Sequence, residues 1–304
     1  MRISNIAVPC ASLALAVVGL LGPAPTRAAV SPGAEEDALE IVAWNVWNGF
    51  SGGSQLAAAT EWLAREAPDV VALQELCGLD EEALRAASAG WGHPHAVMAK
   101  ETGYPVGLTS RSPIEVVERR LEGMHHGYLH ARTAGLDVVV VHLHPGSWEF
   151  RRREVEVVAP LVERLVAEER DVVVLGDFNA HHPLDCAHLA KQAPLIERRS
   201  TGANLIDGRV FDYGVLARFA EAGVTDPVHR HLGPSAASIG TYPSRALDHA
   251  ATEESQRGFL ERIDFVLLSP TLARRCIAAR LSRGAPLDEV SDHYPVAVTI
   301  RTAR

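Results

Sequence analysis

Apolar positions along this chain fall into two kinds of run. Ile41-Val42-Ala43-Trp44, Val70-Val71-Ala72-Leu73, Val138-Val139-Val140-Val141 and Val172-Val173-Val174-Leu175 are short unbroken blocks bounded by polar residues. Such blocks predict strands buried on both faces. Further strand-like runs, separated by Gly and Pro, cover 105–110, 115–122, 128–133, 262–268, 276–281 and 295–300. Helical spacing governs other segments. Leu56, Ala59 and Leu63 share one face of a helix over 55–66, which Pro68 stops. Asp80 is placed to cap a helix through residue 87. The clearest amphipathic stretch is 147–168, with Phe150, Val157, Val158, Leu161 and Leu165 on one stripe. A helix is expected around 211–222, and the rest of 180–260 reads as mixed loop. No internal repeat is visible. Helices between strands, with hairpin-like runs, imply one α/β domain over 40–304: two packed sheets flanked by helices.

The N-terminus is of a different character. Arg2 precedes an apolar run over 6–21, and small residues follow as far as Ala29. A basic start, an apolar stretch and a small-residue break describe a secretory signal peptide. The expected cut follows Ala28, making 1–28 the leader and 29–39 a flexible segment. The run is shorter than the roughly 20 residues that a membrane-spanning helix needs. The expectation is therefore a secreted, extracellular protein with no stable membrane span, and a monomer.

Composition narrows the class. The chain has 304 residues, 47% of them hydrophobic, and a formal net charge of −9. A disordered polymer lacks that much apolar material. The acidic balance argues against coating nucleic acid by bulk charge. It leaves room for an enzyme that grips phosphate at one cation.

Polar residues recur where the buried strands stop. Asn45 ends the first block and Gln74-Glu75 the second. His142 ends the third, and Gly176-Asp177-Phe178-Asn179 the fourth. Ser291-Asp292-His293 stands just before the last strand. One such residue is an ordinary turn former. Five sets at strand ends build a cleft at one edge of the sheets, because a buried carboxylate is costly unless paired or bound to metal. The oxygens of Asn45, Glu75 and Asp292 suit a hard cation, Mg²⁺ or Mn²⁺. The doublets His125-His126 and His181-His182, and the pair His229/His231, read as solvated loop histidines, with His181-His182 the best metal candidate among them. Arg151-Arg152-Arg153 could bind phosphate or form a solvated helix face.

The ordered set Trp44-Asn45, Leu73-Gln74-Glu75, Gly107 to Ile114, His142-Leu143, Gly176-Asp177-Phe178-Asn179, Arg262-Ile263-Asp264 and Ser291-Asp292-His293 resembles the endonuclease/exonuclease/phosphatase superfamily, which has the deoxyribonuclease I-like fold. Thr241-Tyr242-Pro243-Ser244 resembles a segment that lines that family's pocket. The resemblance implies a four-layer α/β sandwich and Mg²⁺-dependent hydrolysis of a phosphoester. It implies Glu75 as principal metal ligand, with Asn45 and Asp292 beside it. Asp177 would orient or deprotonate the attacking water, or touch a second metal. Asn179 would donate to the phosphoryl oxygens. His293 would be an acid/base or a phosphate contact, its ring held by Asp264. His142 would bind a phosphate oxygen or protonate the leaving group, with His144 as its rival. The resemblance leaves the general base open.

It also leaves the substrate open among nucleic acid, nucleotide and phospholipid head group. The alternatives are a sphingomyelinase-like phospholipase C and a catalytically silent binding protein on the same fold. Placing Cys77 and Cys186 in loops at one end of the sheets implies a disulfide between them, with Cys276 free; three unpaired thiols are the other reading.

Overall fold

The computed structural model describes residues 38–200 and 202–302. The expected leader 1–28 lies outside the described residues, as does most of the segment 29–39, although the first strand already begins at Ala38. The strands are β1 Ala38–Asn45, β2 Val70–Gln74, β3 His95–Met98, β4 Gly107–Ser110, β5 Glu115–Arg120, β6 Tyr128–Thr133, β7 Leu136–His142, β8 Val172–Asp177, β9 Leu205–Ile206, β10 Val210–Phe211, β11 Asp264–Leu268, β12 Cys276–Leu281 and β13 Val296–Arg301. One sheet runs β12-β13-β1-β2-β4-β3 and the other β11-β8-β7-β6-β5, while β9 and β10 form a small separate ribbon. Both large sheets are mixed: β1 pairs with β2, and β7 with β8, in parallel, and the remaining pairs are antiparallel.

The unbroken apolar blocks explain the layering. In β1 and β2, Ile41, Ala43, Val70 and Ala72 face inward and pack against Leu129, Ala131, Val138, Val140, Val173 and Leu175 of the other sheet. Their neighbours Val42, Trp44, Val71 and Leu73 face outward, onto the helix Leu56–Glu66 and Leu84 of the helix Glu81–Ala89. In the second sheet Val139, Val141, Val172 and Val174 cover the helices Trp148–Ala167 and Gly214–Glu221. Successive strand residues point to opposite faces, so a strand covered on both faces must be apolar throughout. The result is helix, sheet, sheet, helix: the expected four-layer α/β sandwich.

Local signals behave as expected. Ser147 caps Trp148–Ala167 by accepting from the Phe150 N–H, and Asp80 caps Glu81–Ala89 by accepting from Ala83. The expected helix near 211–222 spans Gly214–Glu221. The pattern missed β3, and within 180–260 it missed the ribbon and a series of short helices, among them Ala193–Ser200. Among the described residues no helix is long and apolar enough to cross a membrane.

Candidate active site

Register brings the strand-end residues together. His142 on β7 lies opposite Asp177 on β8, and Asp177 lies opposite Asp264 on β11. In the other sheet Asn45 of β1 is beside Gln74 of β2, one residue before Glu75. The backbone then turns sharply. Glu75 has φ +61° and Asn179 φ +48°, both in the left-handed region that side chains seldom occupy. At Gly176 (φ +135°) an added Cβ would lie 2.0 Å from the Val141 carbonyl oxygen, so only glycine lets β8 close on β7 and deliver Asp177.

These residues line one cleft of about 370 Å³, which Glu75, His142, Asp177, Asn179, Asp292 and His293 share with Trp47, Asn48, Tyr104, His125, His126, Pro145, Arg199, Tyr242 and Ile263. Asn45 bridges two of the acids: its amide donates to Glu75 Oε1 (3.2 Å) and Asp177 Oδ2 (3.1 Å). Its own Oδ1 accepts from the Trp47 N–H at 3.1 Å and keeps a second lone pair. Glu75 Oε2 accepts from the Asn48 N–H at 3.0 Å. Asn179 donates its backbone N–H to Asp177 Oδ1 (2.8 Å) and one side-chain N–H to the Leu143 carbonyl (3.1 Å), leaving the other for a ligand.

His293 Nδ1 is 2.8 Å from Asp264 Oδ2, and its Nε2 is 3.8 Å from Asp177 Oδ2. Ligand atoms of Asp177, Asp264 and His293 lie within 4.8 Å of one another. Burial opposes charge on His293, but Asp264, Asp292 and Asp177 outweigh it and hold the imidazole well above its ordinary range. Asp177 is pushed up to about 7 by burial and by Asp264. Burial, with Glu75 and Asp264 nearby, raises Asp292 to about 6. The donor set fits a divalent cation. The carboxylates of half-buried Glu75 and buried Asp292 repel one another, and a hard cation would relieve that repulsion. His142 Nε2 is 3.6 Å from Asp177 Oδ2, its buried Nδ1 has no partner among the described residues, and burial keeps it well below its usual range. His144 is not in the cleft lining; its Nδ1 accepts from the Gly146 N–H.

Four expectations need correction. His126 is not a solvated loop residue: it is 5% exposed, with its ring stacked 4.1 Å from His142, while His125 is exposed as expected although both line the cleft. Burial and neighbouring cationic groups lower His126 to about 3. The turn after β5 lays the His126 ring on that of His142, which a doublet in a loop does not reveal. His181 is no metal ligand candidate either, since its Nε2 pairs with buried Glu261 at 2.9 Å. The arginine triplet divides. Arg151 is buried, Arg152 clamps Asp212, and Arg153 lies over the Phe150 ring. Lastly, among the described residues Cys77, Cys186 and Cys276 form no disulfide. Cys77 sits against Asn48, whereas Cys186 is exposed at the head of the helix Cys186–Leu189. Cys276 lies buried in β12, as expected.

Sequence reading missed Arg199 entirely. It comes from Ala193–Ser200, a segment without a motif, and an arginine on a short polar helix carries no signal of its own. Tyr242, in a segment singled out by resemblance, stands 4.8 Å from the His293 ring.

A family model described as "Endonuclease/Exonuclease/phosphatase family" matches residues 42–293. Searching curated proteins by sequence finds no match. Among solved structures, an AP endonuclease from Archaeoglobus fulgidus is similar at 21% identity and TM-score 0.64, over 87% of this chain and 100% of that one. The 3′ phosphatase NExo from Neisseria, bound to a product DNA hairpin, gives 24% and 0.65, over 86% and 98%. The 3′–5′ exonuclease NExo from Neisseria meningitidis gives 23% and 0.63, over 87% and 100%. These likenesses concern the fold.

Proposed function

Because this chain belongs to the endonuclease/exonuclease/phosphatase family, and is therefore a phosphoester-hydrolysing enzyme, we propose that it is a secreted, Mg²⁺-dependent phosphodiesterase that also accepts Mn²⁺ and works as a monomer. The observation that carries the reading is convergence: polar ends of strands from both sheets meet in one cleft. Glu75, Asp292 and the free lone pair of Asn45 would hold the cation. When bound, it offsets their charge and polarises the phosphoryl oxygen as a Lewis acid.

The remaining steps belong to the chain. Asp177, raised toward neutrality, is placed to orient the attacking water and take its proton. The free N–H of Asn179 and the His293 imidazolium receive the charge that builds on the phosphoryl oxygens. Asp264 fixes the His293 ring through Nδ1 and directs Nε2 to the cleft. His142, kept neutral, donates to a phosphate oxygen or to the leaving group. All these groups being present speaks against a silent binding protein. Export is supported by the sequence alone, and the secreted chain is expected to begin at Ala29.

The test compares bis-p-nitrophenyl phosphate, plasmid DNA, RNA and sphingomyelin, each with Mg²⁺ and with EDTA. Hydrolysis of at least one, abolished by EDTA and restored by Mg²⁺, is the expected result. Activity indifferent to chelation, or none on any substrate, contradicts the reading.

A further inference from the structure

The cleft carries one arginine and no lysine among its lining residues: Arg199, on the helix Ala193–Ser200. Its guanidinium is held by one edge. Nε donates to Glu261 Oε1 at 3.1 Å, and Nη2 donates to the same oxygen at 2.7 Å. Nη1 makes no hydrogen bond among the described residues, and the side chain keeps 21% of its surface exposed. Burial alone would raise the Glu261 carboxyl, but the Arg199 charge and the His181 contact hold it at about 2. The carboxylate is therefore a fixed anchor, and it also accepts from Arg198 at 2.8 Å.

A second guanidinium strengthens the positive character of this side. Arg151 is 2% exposed, donates Nη1 to the His144 carbonyl and Asn204 Oδ1, and has a buried Nε with no partner among the described residues. No carboxylate lies within 4 Å of it among the described residues. Burial and then the Arg199 charge lower it to about 10, so the two guanidiniums act on one another. Tyr242 touches both halves of the cleft: its ring lies 5.8 Å from the Arg199 guanidinium carbon and 4.8 Å from the His293 ring. The Arg199 guanidinium and the His293 imidazole thus flank the same tyrosine ring. Glu75 and Asp292, by contrast, make the metal side acidic.

Resting on the phosphoester reading above, we propose that Arg199 binds a second phosphate of the substrate, adjacent to the scissile one, and so makes a nucleic-acid strand the preferred substrate. A charged guanidinium with a free N–H pair binds phosphate oxygen strongly and favours no cationic head group. A phosphocholine ester, with one phosphate and a quaternary ammonium, offers this side repulsion.

The test uses short single-stranded oligonucleotides in which the linkages flanking the cleaved one are either phosphate or neutral methylphosphonate. Bis-p-nitrophenyl phosphate serves as the single-phosphate reference. In wild type, kcat/KM for the phosphate-flanked strand is expected to exceed that for the methylphosphonate strand by about tenfold or more, chiefly through KM. In Arg199→Gln the ratio is expected to fall to about twofold or less, with Arg199→Lys in between. Glu261 keeps Arg198 and His181 in Arg199→Gln, and thermal unfolding checks that the fold persists. A wild-type ratio near one, an unchanged ratio in Arg199→Gln, or faster hydrolysis of sphingomyelin than of the oligonucleotide overturns the assignment. Hydrolysis of the reference with any of those outcomes removes the Arg199 role alone. No hydrolysis of any substrate removes the phosphoester reading with it.

Discussion

The cleft has a floor and a wall, and they are made differently. The floor consists of Asn45, Glu75, His142, Asp177, Asp264, Asp292 and His293, each on a strand of the two sheets or next to one. Strand register fixes their spacing, and buried cores on both sides leave them little room to move. The wall consists of His125, His126, Arg199 and Tyr242, delivered by a turn after β5 and by short helices and loops between 180 and 260. A rigid sheet edge suits chemistry that tolerates no displacement. Loops suit the choice of substrate, because they change without disturbing the core.

The sharpest way to break the comparison is to strip the floor. Glu75→Gln and Asp177→Asn are each expected to lower kcat/KM by about a thousandfold or more on every substrate, since both remove charge at the reacting centre. His293→Ala is expected to match Asp177→Asn, while Asp264→Ala retains more activity because it positions the ring and does not touch the substrate. Steady-state kinetics at saturating Mg²⁺ checks all four. Retention of a tenth of the rate by Glu75→Gln would contradict the ligand assignment, and equal small effects throughout would place the active site elsewhere.

The same division decides how much could be read from sequence. Asn45, Glu75, His142 and Asp177 follow unbroken apolar blocks, and that contrast is visible in one dimension. The strand pattern also gave both sheets and their flanking helices, since burial on one or both faces dictates the period. His126 gave no warning: its burial depends on a turn folding over β7, a contact between distant segments. Arg199 is held at the cleft by Glu261, 62 residues later, a contact that one dimension does not show. The cysteine pairing failed for a related reason. Proximity to motifs in sequence says which end of a sheet a loop occupies, and not whether two loops meet.

Breaking the wall is expected to cost stability first. Glu261 has no exposed side-chain surface and holds Arg199, Arg198 and His181 together. Removing its charge leaves the half-buried Arg199 guanidinium without its anchor, so Glu261→Gln is expected to lose about 2–3 kcal/mol of unfolding free energy. It should also move the flanking-phosphate ratio in the direction of Arg199→Gln, because Nη1 is no longer aimed. Urea unfolding gives the first quantity and the paired oligonucleotides the second. A stability change under about 1 kcal/mol would show that the wall is held by its loops and not by this carboxylate.

A smaller effect separates the two ends of a single strand. β7 begins beside Asp137 and ends at His142. At the cleft end, His142 Nδ1 has no partner among the described residues. At the other end Asp137 is surrounded: His130 Nε2 lies 2.9 Å away, Arg170 Nε donates at 2.8 Å and Arg132 Nε at 3.3 Å. Burial alone would raise the Asp137 carboxyl, yet the hydrogen bonds from His130 and Arg170, with their charges, bring it below its ordinary value. A depressed carboxyl binds fewer protons folded than unfolded. Its contribution is therefore complete above the ordinary Asp range, about pH 4, and is lost as pH falls through the folded value. Asp137→Asn is expected to cost about 1–3 kcal/mol at neutral pH and to flatten the acid limb of the stability curve below about pH 4. Urea unfolding across that range, on wild type and variant together, makes the measurement. Parallel acid limbs would mean that Asp137 titrates alike in both states, and that its three partners fill space without stabilising its charge.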